Sequence, residues 1–406
     1  MKFGLIREGK LPPDERVALT PAQCQEFMER WPNEELVVQE SEVRRIPAQE
    51  YAEAGVSVVA DVSDCDVLIG VKEVNIEDLI AGKTYLFFSH TYKKQPYNAK
   101  LLAAVLEKNV SLIDYEMLKK PDGNRIIGFG RWAGIVGAYN GLRAWGLREK
   151  TFTLPRAIDG KDQDEMISKA KTEKLPKGLK IVLTGYGRVG RGAAELLDAV
   201  GIRKVDKEAF LSEEFSDGPV YTHLDIADYN ARKDGGAFDR EAFINEPSHF
   251  QSAFLPYACA ADIYIAGHYY AQGSPYIISR ADLKHPQVTL KVVADISCDI
   301  DGPVACTLRP SSVADPIYGY DPENECECAT DTPGSITVMA IDNLPCELPR
   351  DASKGFGRDM LDHVIPLLIE GDRDGILAGA RETGLDGKLC EKFKYLQDYV
   401  DRTSEK

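Results

Sequence analysis

The stretch LKIVLTGYGRVGRGAAELLDAV, residues 179–200, decides how the chain is read. IVLT is a short apolar run of strand type, and AAELLDAV carries apolar residues at helical spacing. Between them lies G-x-G-x-x-G, at Gly185, Gly187 and Gly190. The first glycine allows a tight turn, the second lets backbone approach a pyrophosphate, and the third lets helix close on strand. Arg188 and Val189 then open a helix whose free N–H groups and positive dipole end suit phosphate oxygens. Glycines alone say little, but a strand before and a helix after make a dinucleotide site the expectation. The next strand is expected to end near Asp206, in GIRKVDKEAF. A carboxylate there accepts hydrogen bonds from a ribose diol and disfavours a 2′-phosphate, which points to NAD. Arg203, Lys204 and Lys207 are close enough in sequence to keep NADP possible.

On the N-terminal side, FGLI, ELVVQE, VSVVA, CDVLIGVKE, KTYLFFSH and VSLIDYE are short β-rich runs bounded by polar residues or glycine. PAQCQEFMERW reads as a helix among them, and such alternation argues for a parallel α/β architecture. RWAGIVGAYNGLRAWGLREK (131–150) is long and rich in small and apolar residues, which suits a buried helix crossing between domains. Residues 151–177 are polar and lysine-rich, as expected of surface helix and loop. A second α/β block runs from LKIVLTGYG to VVADISCD. Beyond Pro349, DMLDHVIPLLIEG and KLCEKFKYLQDYVD have apolar residues three and four apart and read as helices.

With 406 residues, 44% of them hydrophobic and 28% charged, the chain has the composition of a globular protein with room for two domains. A net charge of −16 repels nucleic-acid backbones and anionic lipid. Small molecules are therefore the expected partners, and an anionic one needs locally placed arginines. No apolar run is long enough to span a bilayer, and MKFGLIREGK lacks the pattern of a signal peptide, so a cytoplasmic location is expected. Nine scattered cysteines form no disulfide framework, and Cys326 and Cys328 in ECEC lack the further ligands a metal needs, so no metal is expected.

Two residues stand out for proton chemistry. His90 follows the apolar run TYLFF, where parallel α/β proteins place functional groups. An imidazole changes charge near neutrality, although such a histidine taken alone is more often structural. Lys72 follows VLIGV; a lysine there is costly unless it faces a polar space, and desolvation makes it a usable base.

With those residues in hand, the chain resembles the family that joins alanine dehydrogenase to the lysine-forming saccharopine dehydrogenases, most nearly the lysine–2-oxoglutarate reductase domain. The resemblance rests on DERVALTP (14–21), GVKE (70–73), YLFFSHT (85–91), LIDYE (112–116), FGRWAGIVG (129–137), GYGRVGRGA (185–193), VADISCDIDG (293–302) and AIDNLPCELPRDAS (340–353). FLPYACAADIYIAGHYYAQGSPYIISR (254–280) adds to it. It implies two Rossmann-like α/β lobes with parallel sheets and an interdomain cleft. Residues 1–133 with 349–406 would bind substrate, and residues 134–348 the dinucleotide. It implies hydride transfer between nicotinamide and the imine of lysine and 2-oxoglutarate, with alanine dehydrogenase or a non-catalytic dinucleotide sensor as the alternatives. Lys72 and His90 would be the acid–base pair, tuned by Glu73 and Glu116. Arg16 and Arg125 would grip substrate carboxylates, a task that suits the guanidinium fork. Asp342 would be a further substrate residue, while Gly267, Asp299, Asn343 and Leu344 would lie against the cofactor. His268 reads as structural. The oligomeric state is open, since relatives of this fold range from monomers to hexamers.

Overall fold

Branched and aromatic residues in short runs build a first sheet of six strands: β1 (Lys2–Leu5), β2 (Glu35–Gln39), β3 (Ser57–Val59), β4 (Val67–Ile69), β5 (Thr84–Phe87) and β6 (Ser111–Asp114). All pair in parallel, in the order β3-β2-β1-β4-β5-β6. A parallel sheet is covered on both faces, so its strands are continuous apolar runs, as in the wholly buried VLI of β4. β1 lies between β2 and β4, so the strand order reverses there; the carboxyl ends beside such a reversal are where open α/β sheets hold ligands.

The structure, a computed structural model, describes residues 1–271, 273–300 and 302–402. Gln272 and Asp301, within the family-like stretches 254–280 and 293–302, lie outside the described residues. The chain divides into two units, Met1–Phe129 with Pro349–Lys406 and Gly130–Leu348.

In the first unit, the helix Pro21–Arg30 begins with Pro21 in its first turn. The Gln23 side chain accepts from the Thr20 N–H at 3.0 Å and closes the helix start. The C-terminal stretches are less regular than their apolar spacing suggests. DMLDHVIPLLIEG forms a wide π-type turn, Met360–Val364, and then the short helix Ile365–Ile369. Pro366 has no N–H to donate four residues back, so the ladder resets there. KLCEKFKYLQDYVD is a 3₁₀ segment, Glu391–Leu396, followed by the helix Gln397–Asp401.

The second unit contains β7 (Lys180–Thr184), β8 (Arg203–Lys204), β9 (Val220–Leu224), a separate antiparallel pair β10 (Asn230–Arg232) and β11 (Phe250–Ser252), then β12 (Ile263–Ala266), β13 (Val292–Asp295), β14 (Ile317–Asp321), β15 (Cys326–Cys328) and β16 (Ile336–Met339). The main sheet has the order β15-β14-β16-β13-β12-β7-β9-β8. From β16 to β8 it is parallel, whereas β14 and β15 pair antiparallel at one edge, making the sheet mixed. The helix Gly130–Glu149 belongs to this unit and lies on the helix Arg188–Val200. A Cβ on Gly134 would stand 1.9 Å from the Val189 carbonyl oxygen, so the two backbones touch and no side chain fits. Among the described residues, no helix is long and apolar enough to cross a membrane.

Candidate active site

Lys72, His90 and Glu116 stand just beyond the carboxyl ends of the adjacent strands β4, β5 and β6. His90 has a left-handed backbone, with φ of 55°, which is uncommon for a residue with a side chain and must be held by its surroundings. Two carboxylates flank its imidazole, Glu73 at 3.9 Å from Nε2 and Glu116 at 3.7 Å from Nδ1. The ring stacks on Phe88, with centroids 6.3 Å apart.

Cations hold the two carboxylates in turn. Lys10 Nζ is 2.9 Å from Glu73, and Asn98 also donates to that carboxylate at 3.4 Å. Burial pushes the Glu73 carboxyl up, but the Lys10 hydrogen bond and charge outweigh it and the net shift is downward. Lys93 Nζ lies 3.0 Å and Arg125 Nη2 3.6 Å from Glu116. Burial opposes ionisation of Glu116 as well, yet hydrogen bonds from His90 and Tyr92 and the charges of Arg125 and Lys93 hold it well below the usual carboxylate range.

Lys72 is mostly buried, and burial lowers the pKa of its ammonium, helped by the charges of Arg16 and Lys10. Among the described residues its ammonium has no hydrogen-bonded or ion-paired partner. Its backbone is anchored by Glu8, whose carboxylate accepts from the Val71 and Lys72 N–H groups at 2.7 and 2.8 Å. Burial nevertheless pushes Glu8 up to about 7. Glu8, Lys72 and Glu73 line a cavity of about 40 Å³, and Glu73 and Lys10 also face one of about 320 Å³.

Arg16 stands differently from its sequence reading. Only 1% exposed, it turns its Nε and Nη2 onto Asp14 at 2.8 and 2.5 Å and stacks over Phe129 at 4.1 Å. One edge of the guanidinium expected to grip a substrate carboxylate is thus held by a carboxylate of the chain. Burial pushes Asp14 up, but the guanidinium outweighs it and keeps Asp14 ionised far below its ordinary range. Breaking a buried pair of this kind costs about 3–5 kcal/mol. Loss of Arg16 would therefore read out first as lost stability.

In the second unit the glycine turn joins β7 to the helix Arg188–Val200. Gly185 has φ of 96°, and a Cβ on it would meet the Gly267 carbonyl oxygen at 2.6 Å; one on Gly190 would meet the Gly185 oxygen at 1.6 Å. These three backbones close on one another, so side chains are excluded. Gly187 differs: it caps the helix, and a Cβ there would meet nothing within 4 Å. Open space before a thirteen-residue helix fits a pyrophosphate. A cavity of about 860 Å³ runs along this turn, with Gly185, Gly187, Arg188, Val189, Asp225, Gly267 and His268 in its walls. His268 is buried, with Nδ1 3.0 Å from the Thr184 hydroxyl, and burial pushes its imidazole down to about 3.

Asp206, expected to face a ribose, stands away from the glycine turn's cavity. Asp206 follows the edge strand β8 and caps the helix Lys207–Ser212, accepting from the Ala209 N–H at 2.8 Å. It is absent from the cavity walls because β9, not β8, lies beside β7. The carboxylate at the end of β9 is Asp225, which lines the cavity and pairs with Arg240 at 3.0 Å. The basic residues near Asp206 have other engagements: Arg203 pairs with Asp217, and Lys207 with Asp228. Asp299 and Asp342 are exposed, Asn343 caps the turn Leu344–Glu347, and Leu344 is buried. All four follow the carboxyl ends of β13 and β16, on the same sheet edge as the glycine turn but outside this cavity's walls.

Sequence reading missed Glu8, Lys10, Asp14, Lys93 and Asp225. The available signal for Asp225 was VYTHLD, an apolar run ending in an acid, overlooked because it lies well beyond the usual spacing of about 20 residues after the glycines.

Residues 4–136 match the family model for the alanine dehydrogenase/PNT N-terminal domain. The mitochondrial alpha-aminoadipic semialdehyde synthase of Mus musculus is 28% identical over 89% of this chain and 44% of its own length. The chain thus spans under half of that relative. The lysine-forming, NAD(+) saccharopine dehydrogenase of Yarrowia lipolytica is 28% identical, with 90% of this chain and 92% of that one covered. Among solved structures, an L-alanine dehydrogenase superposes with a TM-score of 0.64 at 17% identity over 99% of each chain. A transhydrogenase from Sinorhizobium meliloti reaches 0.61 at 14% identity, covering 96% of this chain and all of that one. These two show the fold alone. Residues 4–136 are thus similar to the alanine dehydrogenase/PNT N-terminal domain, and over nine-tenths of its length the chain is distantly similar to a lysine-forming saccharopine dehydrogenase.

Proposed function

We propose that this protein is a nicotinamide-dependent oxidoreductase that joins the ε-amine of lysine to 2-oxoglutarate and reduces the imine to saccharopine, or runs the reverse. The observation that carries this is the imidazole of His90 between Glu73 and Glu116, with the mostly buried amine of Lys72 in the same strand-end cluster. A sensor has no use for that set, whereas imine chemistry needs protons moved at both nitrogen and oxygen. Similarity to named saccharopine dehydrogenases over nine-tenths of the chain supports the substrate choice.

A nicotinamide, when bound, supplies the hydride. Gly187, the N-terminus of the helix Arg188–Val200 and the carboxylate of Asp225 would hold the dinucleotide, Asp225 favouring NAD through the ribose diol. Arg240, paired with Asp225, would be the cation nearest a 2′-phosphate if NADP were the cofactor. Lys72, kept less basic by burial and its cationic neighbours, takes the proton from the substrate ammonium so that nitrogen can attack the keto carbon. His90 gives a proton to the oxygen that leaves as water, and Glu73 and Glu116 hold both ring nitrogens in place. Arg125 and Lys93, each 44% exposed beside Glu116, would meet substrate carboxylates.

The test offers purified protein NADH or NADPH with lysine plus 2-oxoglutarate, or with pyruvate plus ammonium, and follows loss of the reduced-nicotinamide absorbance. Oxidation with the lysine mixture alone is expected. Oxidation with pyruvate alone would replace this reading by alanine dehydrogenase, and cofactor binding without turnover in either would replace it by a sensor.

A further inference from the structure

Beneath the His90 turn, four side chains of the first unit form a chain that the proposed reaction does not use: Asp114, Ser89, Thr91 and Glu382. Ser89 Oγ contacts Asp114 Oδ2, Ser89 Oγ and Thr91 Oγ1 are 2.6 Å apart, and Thr91 Oγ1 is 2.5 Å from Glu382 Oε2. All four residues are buried, and Asp114, Ser89, Thr91 and Glu382 are each 0% exposed. Three successive oxygen–oxygen contacts need three protons, and two hydroxyls supply two. The third belongs to a carboxyl.

We propose that Glu382 and Asp114 share one proton through the hydroxyls of Thr91 and Ser89, and that this loaded chain makes Glu382 a positioning residue for His90. The polarity of the chain follows from the donors at each end. Asp114 accepts from the Glu116 N–H at 2.6 Å and the Ser89 N–H at 3.0 Å besides the Ser89 hydroxyl, which suits an anion. Glu382 meets only hydroxyls, those of Thr91 and Ser89, and its Oε1 is buried with no partner among the described residues, which suits a neutral acid. Glu382 therefore donates to Thr91, Thr91 to Ser89, and Ser89 to Asp114. Ser89 Oγ also accepts from the Thr91 N–H at 3.2 Å, closing the loop around His90 on both sides.

The charged groups acting on Glu382 are the carboxylates of Asp114 and Glu116, and the phenols of Tyr395 and Tyr399 face it from the C-terminal segment. Burial and the Asp114 charge push Glu382 up to about 8. Loss of the proton leaves two anions in one buried site and no hydrogen between the Ser89 and Thr91 oxygens. The turn that holds His90 in its left-handed conformation then loses its clamp. Asp114 also anchors the Glu116 backbone, so both residues that meet at the imidazole depend on the same chain.

The proton count stands apart from the reaction, and only the turnover arm of the test rests on the function proposed above. Infrared spectra of the full chain near pH 7.5 should contain the carbonyl stretch of a protonated carboxyl that is missing from Glu382→Gln, and it should fade in the parent protein as pH passes about 8. Identical spectra for the two proteins would overturn the proposal. If Glu382→Gln does not fold, Thr91→Val decides: the band should persist but move to the higher frequency of a carboxyl without an acceptor, and an unmoved spectrum would overturn it. In the turnover arm, Glu382→Gln, whose amide cannot ionise, should shift the alkaline limb of the rate upward by one pH unit or more and leave the acid limb in place. An unmoved alkaline limb with a changed spectrum would remove the positioning role while keeping the shared proton.

Discussion

At the carboxyl ends of β4, β5 and β6 the chain presents Lys72, His90 and Glu116, whereas at the end of β7 it presents Gly185 and Gly187, which have no side chains. Both sites lie beside a reversal of strand order in a largely parallel sheet. The first is made of ionisable groups whose charges are set by burial and by one another. The second is made of backbone: Gly185, Gly190 and Gly267 close on one another so that side chains do not fit, while Gly187 faces open space. Moving protons needs groups that change charge, while holding phosphates needs exposed N–H groups and an unobstructed helix end. The carboxyl edge of a parallel sheet therefore serves either kind of chemistry, according to whether its loops keep or discard side chains.

Substitution should separate the two kinds of site, and the largest effect is expected at Gly190. A methyl there would stand 1.6 Å from the Gly185 carbonyl oxygen, and that atom belongs to backbone. Gly190→Ala should destabilise the second unit by about 3 kcal/mol or more, seen as a lower unfolding temperature with dinucleotide binding lost. Normal stability would mean the turn is looser than its geometry shows.

Acid should act on the first unit. Asp14 and Glu116 are held below their ordinary values, so the stability they contribute is present above about pH 4 and is lost as pH falls through that range and below. The buried Asp295 and Glu347 of the second unit are pushed up to about 6, and protonating them in acid removes no such contribution. Hydrogen exchange at falling pH should show the strand ends of β4 to β6 opening first, at a loss of about 2–3 kcal/mol. Simultaneous opening of both units would dissolve the contrast.

His90→Gln should slow turnover by roughly a hundredfold or more while sparing cofactor affinity, since the imidazole belongs to the first unit alone. Equal loss of both would assign His90 to binding. Asp225→Asn should weaken NADH binding about tenfold and narrow any preference over NADPH, measured by fluorescence titration. The smallest effect on folding is expected at Gly187→Ala, within about 0.5 kcal/mol of the parent because nothing lies within 4 Å of the added methyl. Its effect on dinucleotide binding should still be measurable, which makes Gly187 and Gly190 a matched pair.

Much of the site was legible because its signals are local. An apolar run followed by Lys72 or His90 marks a strand end, and three glycines between strand and helix mark a turn, from neighbouring residues only. The errors arose where the answer depends on which strands pair. Asp206 was chosen by counting residues from the glycines, but β8 takes the sheet edge and β9 takes the place beside β7, so the acid facing the cavity is Asp225. For Arg16 the resemblance implied a substrate carboxylate, and its pair with Asp14, two residues away, is visible only once burial forces the two together. The antiparallel β14 and β15 look like their parallel neighbours in composition, since pairing direction leaves little trace in a short apolar run.

By itself the sequence determined the strand and helix alternation, the glycine turn and the identities of Lys72 and His90, because periodicity and turn chemistry act over a few residues. Only the tertiary structure decided that Glu73 and Glu116 flank one imidazole, that Asp14 holds Arg16, and that Glu382 reaches Thr91 from 291 positions away. Charge states and hydrogen-bond partners are set by distance and burial in space, and neither is encoded in spacing along the chain.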